Sequence, residues 1–267
     1  SHRPRGDSDL LVDEADLPAA RLVLEQLGYR PYDAGESFEW LQEGWSLACA
    51  DGTDHAIDLH WASLNAHALA DVLPTAECLA NARPLPGLGP QAMQLDRVRT
   101  LLHLCAHRSM HRTAPYMLGR QSFFGGDRLI WSVDIHLLAQ RLDAEEWADL
   151  AALAAERRAA GACLEGLEAA RDDLGTALPD PVLATLRRSA ASDRPYLRSH
   201  RALAREWHNV LAMPAWALKL RYLRSRLFPT GDFIRGKYPG MAGAPMPLIY
   251  LRRIFDALRR RATSGGQ

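Results

Sequence analysis

The chain has 267 residues, of which 48% are apolar and 24% are charged, and its 32 Lys and Arg balance its 32 Asp and Glu. This composition allows a sizeable buried core in one large or two smaller domains. No apolar run approaches the roughly 18 residues of a membrane span, and the N-terminus has no signal-peptide layout, so we expect a soluble cytoplasmic protein without a membrane partner.

The zero net charge conceals two oppositely charged parts of the chain. Residues 1–189 contain 17 Lys and Arg against 28 Asp and Glu, whereas residues 190–267 contain 15 against 4, so the net charges are −11 and +11. The basic part predicts either attraction to phosphate or another polyanion, or packing on the acidic part. Nearly all of its positive charge is arginine, which suits bidentate contacts with phosphate or carboxylate.

The first predicted element is a strand in the stretch GDSDLLV, residues 6–12. Side chains alternate between the two faces of a strand, so Asp7 and Asp9 project from the same edge. Two neighbouring carboxylates repel, and each raises the pKa of the other unless a cation or a donor lies between them. The pair is therefore either relieved by solvent, as in a polar turn, or a site for a metal ion.

An amphipathic helix is predicted next, in residues 13–29, with Asp16 placed to cap it and Gly28 to end it. Two apolar runs then flank the sequence DGTD, an Asp-Gly turn signal typical of a β-hairpin. The order of strand, helix and two strands predicts a small α/β module that ends near Ala82, before the connector ARPLPGLGPQ. The apolar face of the helix is expected to contain Leu17, Ala20, Leu24 and Leu27.

From Leu95 onward the sequence is rich in alanine and leucine and predicts helices, separated by loops such as GRQSFFGGD and FPTGDFIRGKYPGMAGAPMP. The expected fold class is therefore α+β: a small α/β core with a mixed sheet in residues 1–90, followed by a large all-helical domain in residues 91–267. The helices are expected over residues 95–112, 129–141, 144–160, 162–174, 180–190, 199–211, 214–227 and 247–261.

A third acidic residue, Asp58, lies on the second arm of the predicted hairpin, between Ile57 and Leu59. An aspartate between core residues of a strand is uncommon, and it completes a cluster with Asp7 and Asp9 if this strand pairs with SDLLV. Carboxylates are ligands that Mg²⁺ prefers, alongside waters and substrate phosphates. Two such ions about 3.5–4 Å apart can hold the attacking and the leaving oxygen of a phosphoryl displacement.

The segment RGDSDLLV, followed by a helix and then IDLHW, resembles the nucleotidyltransferase superfamily that includes polymerase beta and the aminoglycoside nucleotidyltransferases. More narrowly, it resembles a bacterial family of uncharacterised nucleotidyltransferases, whose helical region is similar to LLHLCAHRSMHR, LIWSVDIHLLAQRLDAEEW and RSRLFPTGDF. The resemblance implies a nucleotidyltransferase-type core and an active site in the cleft between the two domains.

The resemblance also implies a reaction. Asp7, Asp9 and Asp58 would bind two Mg²⁺ ions and carry catalysis, and Asp58 would accept the proton of the acceptor hydroxyl. A nucleotidyl group would pass from a nucleoside triphosphate to a hydroxyl of an unknown acceptor, which is a small molecule, a protein or RNA. Electrostatic stabilisation would supply most of the catalysis.

The sequence departs from the superfamily pattern in one respect. Superfamily members carry a Gly-Ser or Gly-Gly turn before the aspartate pair, and no such pair precedes Asp7 here. Arg3, Arg5 and Ser8 are the residues that we expect to contact the triphosphate. The alternatives are a non-catalytic relative that binds a nucleotide or a partner without the turn, and a helical scaffold with a vestigial α/β cap.

His103, His107 and His111 recur every four residues on one predicted helix and therefore share a stripe, and His136 is a further candidate for the same cluster. Such a stripe can bind zinc, but it serves equally well as a set of hydrogen-bonding core residues. His107 or His111 could also line the cleft near the acceptor. All three interpretations follow from the spacing.

Asp134, flanked by apolar residues, is expected to form a buried ion pair with the preceding helix, with substrate binding as the alternative.

A basic stripe of four arginines at helical spacing could bind phosphates or RNA, or pack on the acidic part. The tryptophans are expected in the core rather than as platforms for bases, and the cysteines as reduced packing residues. These sets are Arg194, Arg198, Arg201 and Arg205; Trp131, Trp147, Trp207 and Trp216; and Cys49, Cys78, Cys105 and Cys163.

Overall fold

The computed structural model describes residues 7–31, 41–112, 115–118, 121–124, 126–228, 230–241 and 243–264. The strands are β1 (Ser8–Leu11), β2 (Arg30–Pro31), β3 (Gln42–Ala48), β4 (Asp54–His60), β5 (Arg83–Pro84), β6 (Met93–Gln94), β7 (Pro115–Leu118) and β8 (Gln121–Phe124). The helices are α1 (Leu17–Gln26), α2 (Thr75–Ala80), α3 (Arg97–His111), α4 (Leu129–Ala139), α5 (Ala144–Glu156), α6 (Ala160–Leu174), α7 (Asp180–Ser189), α8 (Pro195–Arg198), α9 (Ala202–Ala212), α10 (Trp216–Leu227), α11 (Gly231–Lys237) and α12 (Met246–Ser264).

Four of the strands form one mixed sheet in the order β1-β4-β3-β2. β3 and β4 are the predicted antiparallel hairpin, and Gly52 of its Asp-Gly turn has a φ of 81°, a left-handed conformation that favours glycine. β1 lies parallel to β4 at the edge of the sheet. The predicted α+β class, with a mixed sheet before many helices, is confirmed.

Helix α1 covers one face of the sheet. Leu17 and Leu24 of the helix pack against Trp45, Ile57 and Leu59 of β3 and β4. Because the strands alternate, the residues between these core positions project from the opposite face. The small core therefore determines which face of the sheet is left for polar side chains.

Two details of α1 differ from the sequence-based prediction. Leu27 is exposed, because it follows the last helical residue and no longer continues the apolar face. Asp16 stands at the N-cap position but its side chain makes no capping hydrogen bond; Asp13 instead accepts a hydrogen bond from the backbone of Ala15 in the preceding turn. Gly28, with a φ of 92°, follows the helix as predicted.

The larger core is helical and extends from Leu64 to Leu197. Its centre consists of fully buried aliphatic residues on α3, α4, α5 and α6, among them Leu101, Ile135, Leu150 and Leu167. Every helix predicted after Leu95 is present, with ends within a few residues of the expected ones. The division of the chain into two domains at residue 90 stays a prediction.

Two segments that were expected to be loops contain regular structure. GRQSFFGGD includes strand β8, which pairs with β7, and the Pro- and Gly-rich segment after Phe228 includes the short helix α11. Both elements have only four to seven residues, which is shorter than the window over which an apolar period can be recognised, so contacts with neighbouring segments determine their conformation. The short helices α2 and α8 were missed for the same reason.

The predicted basic stripe does not exist as one helix face, because α8 ends at Arg198 and α9 begins at Ala202. Arg205 is only 3% exposed and donates to the backbone carbonyls of Ser109 and Met110 at the end of α3. Arg194 donates to the carbonyl of Arg157 at 3.1 Å. The alternative, that these arginines pack on the preceding part of the chain, is confirmed for both residues.

The tryptophan prediction is half right. Trp131 and Trp147 are buried in the helical core, whereas Trp207 and Trp216 are 58% and 77% exposed. The helical spacing was correct, but on α9 and α10 the apolar stripe points outward.

The four cysteines are free thiols, as expected, and three of them are buried. Among the described residues no helix is long and apolar enough to cross a membrane.

Gly166 of α6 is the position where two helices of the core approach most tightly, which generates a prediction for stability. A Cβ atom at Gly166 would lie 2.8 Å from the sulfur of Cys105 and 3.3 Å from its Cα. Because the Cα belongs to the backbone of α3, the neighbour cannot simply rotate away. We expect Gly166→Ala to lower the free energy of unfolding by about 1–3 kcal/mol in denaturant titrations.

The matched control is Gly87→Ala, because a Cβ atom at Gly87 would meet no atom within 4 Å. This variant should unfold at the wild-type denaturant concentration. Equal stabilities for the two variants would contradict the tight packing of α6 on α3.

Candidate functional site

The candidate site lies where strands β1 and β4 pair. The strands are parallel and in register, with Asp9 directly beside Asp58. Paired residues of adjacent strands project from the same face, and Ile57 and Leu59 occupy the face covered by α1. Asp9, Asp58 and His60 therefore share the opposite face of the sheet.

These three residues form what we call the Asp-Asp-His cluster. Each offers one ligand atom, and the three atoms lie within 4.8 Å of one another. The Nε2 atom of His60 lies 3.1 Å from Oδ1 of Asp9. Two carboxylates and an imidazole at this spacing are a donor set that fits a divalent cation.

Strand β3 completes the surroundings of Asp58. The side-chain amide of Gln42 donates a hydrogen bond of 2.8 Å to Oδ2 of Asp58 and so orients the carboxylate. Gly44 is the register partner of Asp58 on this strand. Because glycine has no side chain, Gly44 itself places no side chain beside Asp58.

The two carboxylates of the cluster differ in their electrostatics. Burial, followed by the negative charges of Asp7 and Asp9, raises the pKa of Asp58, and these effects outweigh the opposing influence of His60. The hydrogen bond with His60 lowers the pKa of Asp9 despite its partial burial. Asp58 is therefore the stronger base of the two, and a cation beside it would relieve the repulsion that raises its pKa.

The remaining residues predicted for the site lie around this cluster. Asp7 is exposed, immediately before β1, and is near enough for its charge to act on Asp58. Ser8 pairs with Ile57, so its hydroxyl lies on the face of the sheet opposite the cluster. Arg3 and Arg5 lie outside the described residues, and their proposed contacts with phosphate stay predictions.

Helix α3 presents the histidine stripe, defined by His103, His107 and His111, toward the cluster. The charges of Asp9 and His60 both act on His103 and His107. His103 is held by a 2.8 Å hydrogen bond between its Nε2 atom and the carbonyl of Ser63, just after β4. The stripe therefore lies close enough to the acidic sheet face for the charge of Asp9 to act on all three of its histidines, and the interpretation that it lines a cleft near the acceptor stays a prediction.

The rings of the stripe stack rather than converge on one point. The ring centroids of His107 and His111 are 4.3 Å apart, and both rings approach Trp131 of α4, at 6.2 and 6.5 Å. Within the described part of the chain the only group of three metal-ligating side chains is the Asp-Asp-His cluster, so the zinc interpretation of the stripe is not supported.

The stripe is uncharged. Burial, together with the charges of the neighbouring His111 and His103, lowers the pKa of His107 to about 3. Burial also lowers the pKa of His103. The carboxylates of the sheet are thus faced by neutral imidazoles on α3, and the positive charge of Arg128, just before α4, acts on His111.

Two other sequence-based candidates lie apart from the cluster. His136 is bonded through Nδ1 to the hydroxyl of Thr176 at 2.8 Å and does not join the stripe. Asp134 is half-buried on α4, and its predicted ion pair with the preceding helix stays a prediction.

His60 and Gln42 are the site residues that the sequence-based reasoning missed. His60 was quoted as part of IDLHW but was not assigned a role. The spacing Asp-x-His on a predicted strand places both side chains on one face and could have identified it. No comparable local signal exists for Gln42, because its contact with Asp58 depends on the pairing of β3 with β4.

A mixed sheet with two aspartates in register on parallel strands, followed by a helical core, is the arrangement expected of a nucleotidyltransferase. The sequence model of the uncharacterised nucleotidyltransferase family matches residues 1–175, which include the cluster and the histidine stripe. The chain therefore belongs to this family and is by family a transferase. No curated protein matches the sequence.

The buried neutral state of His107 generates a prediction for pH dependence. Below pH 6.5 the unfolded chain binds a proton at this residue that the folded chain, with a pKa of about 3, does not bind. The contribution of neutral His107 is therefore complete above that pH and is lost as the pH falls toward 3. Between about pH 7.5 and about pH 5, wild type should lose about 2 kcal/mol more unfolding free energy than His107→Gln.

Urea titrations of both proteins at the two pH values provide the measurement. The difference between the proteins at the higher pH gives the packing cost of the substitution, because His107 is neutral there in both states. If the two proteins showed the same change with pH, His107 would be accessible to protons in the folded state.

Proposed function

We propose that this protein is a Mg²⁺-dependent nucleotidyltransferase, which moves a nucleotidyl group from a nucleoside triphosphate to a hydroxyl group of an acceptor. The observation that carries the proposal is the placement of Asp9 beside Asp58 on parallel strands, with His60 completing a set of ligand atoms within 4.8 Å. Membership of the nucleotidyltransferase family supports the same reaction class.

The residues of the chain would divide the work as follows. Asp7, Asp9 and Asp58 would hold the divalent cation, two ions in the arrangement that the resemblance implies. When bound, Mg²⁺ supplies charge that neutralises the triphosphate and the departing pyrophosphate. Arg3, Arg5 and the backbone at Ser8 would contact the phosphates at the start of β1.

Asp58 is the proposed base for the acceptor hydroxyl. Burial and the neighbouring aspartates raise its pKa, and a bound cation would oppose this effect, so its role as base depends on its position beside the acceptor. Gln42 donates to one of its oxygens and so orients the carboxylate between the cation and the acceptor hydroxyl. His60 would position Asp9 through the hydrogen bond between them.

The neutral histidine stripe would form the opposite wall of the substrate site. Uncharged imidazoles add no positive charge that competes with the divalent cation for the carboxylates, and His107 and His111 present ring faces and edges to a bound ligand. Neither the acidic sheet face nor the histidine stripe identifies the acceptor. The proposal therefore includes a small molecule, a protein and RNA as acceptor classes.

The alternative function is binding without catalysis. A non-catalytic relative would retain a nucleotide or a protein partner on the same sheet face without transferring a group. The two proposals differ in whether nucleotide binding requires the divalent cation and the carboxylates.

Calorimetric titration with each common nucleoside triphosphate, with and without MgCl₂, tests the proposal. We expect binding that requires Mg²⁺ and that weakens more than about tenfold in Asp9→Asn and Asp58→Asn, because each variant removes a carboxylate ligand at nearly constant shape. Subsequent release of pyrophosphate in the presence of candidate acceptors identifies turnover.

Asp54→Asn is the matched control. Asp54 begins the same strand as Asp58 but is exposed at the hairpin end, outside the Asp-Asp-His cluster. It should bind like wild type. Nucleotide binding that does not require Mg²⁺ and is unchanged in the two cluster variants would favour the non-catalytic alternative. The absence of any nucleotide binding would favour a helical scaffold with a vestigial α/β cap.

A further inference from the structure

The C-terminal helices expose large apolar side chains at helical spacing. On α9 the exposed residues are Leu203, Trp207 and Leu211, and on α12 they are Leu248, Leu251 and Phe255. Single exposed apolar residues are common on protein surfaces, but rows at intervals of three and four residues define a continuous face of each helix. These helices follow the part of the chain that matches the family model.

Helix α10 presents the clearest of these faces. Trp216, Leu220, Leu223 and Leu227 lie along one narrow stripe, with exposures of 77%, 64%, 40% and 64%. The opposite side of the helix is the one that packs: Tyr222 is buried with Val210 and Met213 between α9 and α10. The apolar stripe of α10 is therefore an outward ridge and not an incomplete part of this small core.

Cationic side chains border the stripe on both sides. By helical spacing, Arg224 lies along one edge, and Lys219 and Arg226 lie along the other. Arg224 is exposed, whereas Arg226 forms an ion pair with Glu206 at 3.0 Å and Lys219 donates to the carbonyl of Leu211 at 3.0 Å. The whole segment 190–267 carries a net charge of +11. A helix with a Trp and Leu ridge between basic residues has the composition of a helix that lies in the interface of an anionic membrane.

Charge and shape favour an anionic membrane over three other partners for the apolar stripe of α10: a second copy of the chain, a partner helix and RNA. A symmetric contact with a second copy would bring two strongly basic surfaces together, which is electrostatically unfavourable. A partner helix docks into a groove, whereas the apolar residues of α10 form a ridge. RNA would account for the arginines but not for the leucines, which cannot stack on bases.

We propose that α9 and α10 dock the protein on the surface of an anionic phospholipid membrane, with the apolar stripe of α10 inserted between headgroups and the exposed Arg224 on a lipid phosphate. Long basic side chains can keep their charge at the headgroups while their methylene groups cover apolar surface. Such docking needs no spanning helix, so it is compatible with the absence of one among the described residues. It departs from the sequence-based expectation of no membrane partner, because that expectation was based on the lack of a spanning apolar run and not on the exposed faces of the C-terminal helices.

Flotation with lipid vesicles tests the proposal with the full chain. We expect wild type to float with vesicles that contain phosphatidylglycerol and not with vesicles of phosphatidylcholine alone, and the bound fraction to fall as salt is added. The double variant Leu220→Glu/Leu227→Glu should bind at least about tenfold more weakly, because each substitution replaces an inserted side chain by a charge.

The matched control is Leu88→Glu/Leu137→Glu, which adds the same two charges at exposed leucines away from the C-terminal helices. It should float like wild type. Circular dichroism and thermal unfolding verify that both double variants are folded, which is expected because all four leucines are exposed. As a second readout, tryptophan emission should shift to the blue on binding, and this shift should diminish in Trp216→Phe.

Three results would overturn the proposal. The first is the failure of wild type to float with anionic vesicles. The second is undiminished flotation of the α10 double variant, or an equal loss in the control, because insertion of this stripe would then not be the cause. The third is a concentration-dependent dimer in sedimentation that the α10 double variant abolishes, since a second copy would then cover the stripe. None of these results bears on nucleotide binding.

Discussion

The in-register parallel pairing of β1 with β4 is the constraint on which the proposed site depends. It places Asp9 beside Asp58, and a slip of one residue would turn Asp9 to the other face of the sheet. The orientation of β4 is fixed because Ile57 and Leu59 are buried beneath α1, and that of β1 because Leu11 packs on the helical core and Val12 packs beneath α1. The same apolar packing that holds the sheet together thus forces two carboxylates into proximity, and burial and repulsion raise the pKa of Asp58 as a result.

The neighbouring residues reduce this repulsion only in part. His60 stabilises the charged form of Asp9, and Gln42 donates to Asp58, but no described lysine or arginine forms an ion pair with either carboxylate. Helix α3 faces them with histidines that burial keeps neutral. Under the proposed function this arrangement would leave the carboxylates for a divalent cation, whereas an arginine between them would have neutralised both.

The positive charge of the protein is located elsewhere and serves two purposes. Arg205 and Arg194 are used internally, where they bind backbone carbonyls and attach the C-terminal helices to the helical core. Around α10 the cations instead border an exposed apolar stripe. The charge asymmetry of the chain is therefore neither a simple phosphate-binding surface nor a simple internal ion-pair network. An arginine that faces the end of a neighbouring helix binds backbone carbonyls, and one that faces solvent stays at the surface.

The sequence alone determined the fold class, the hairpin at Gly52, the long helices, and the candidacy of Asp9 and Asp58, because these depend on local turn chemistry, apolar period and short motifs. It could not determine that His60 joins Asp9, that Gln42 reaches Asp58, or that the histidine stripe faces the sheet, since these contacts join segments far apart in the chain. It also misjudged which tryptophans are buried. An apolar stripe has the same period whether it faces the core or solvent, and only the packing of a helix on its neighbours decides the direction.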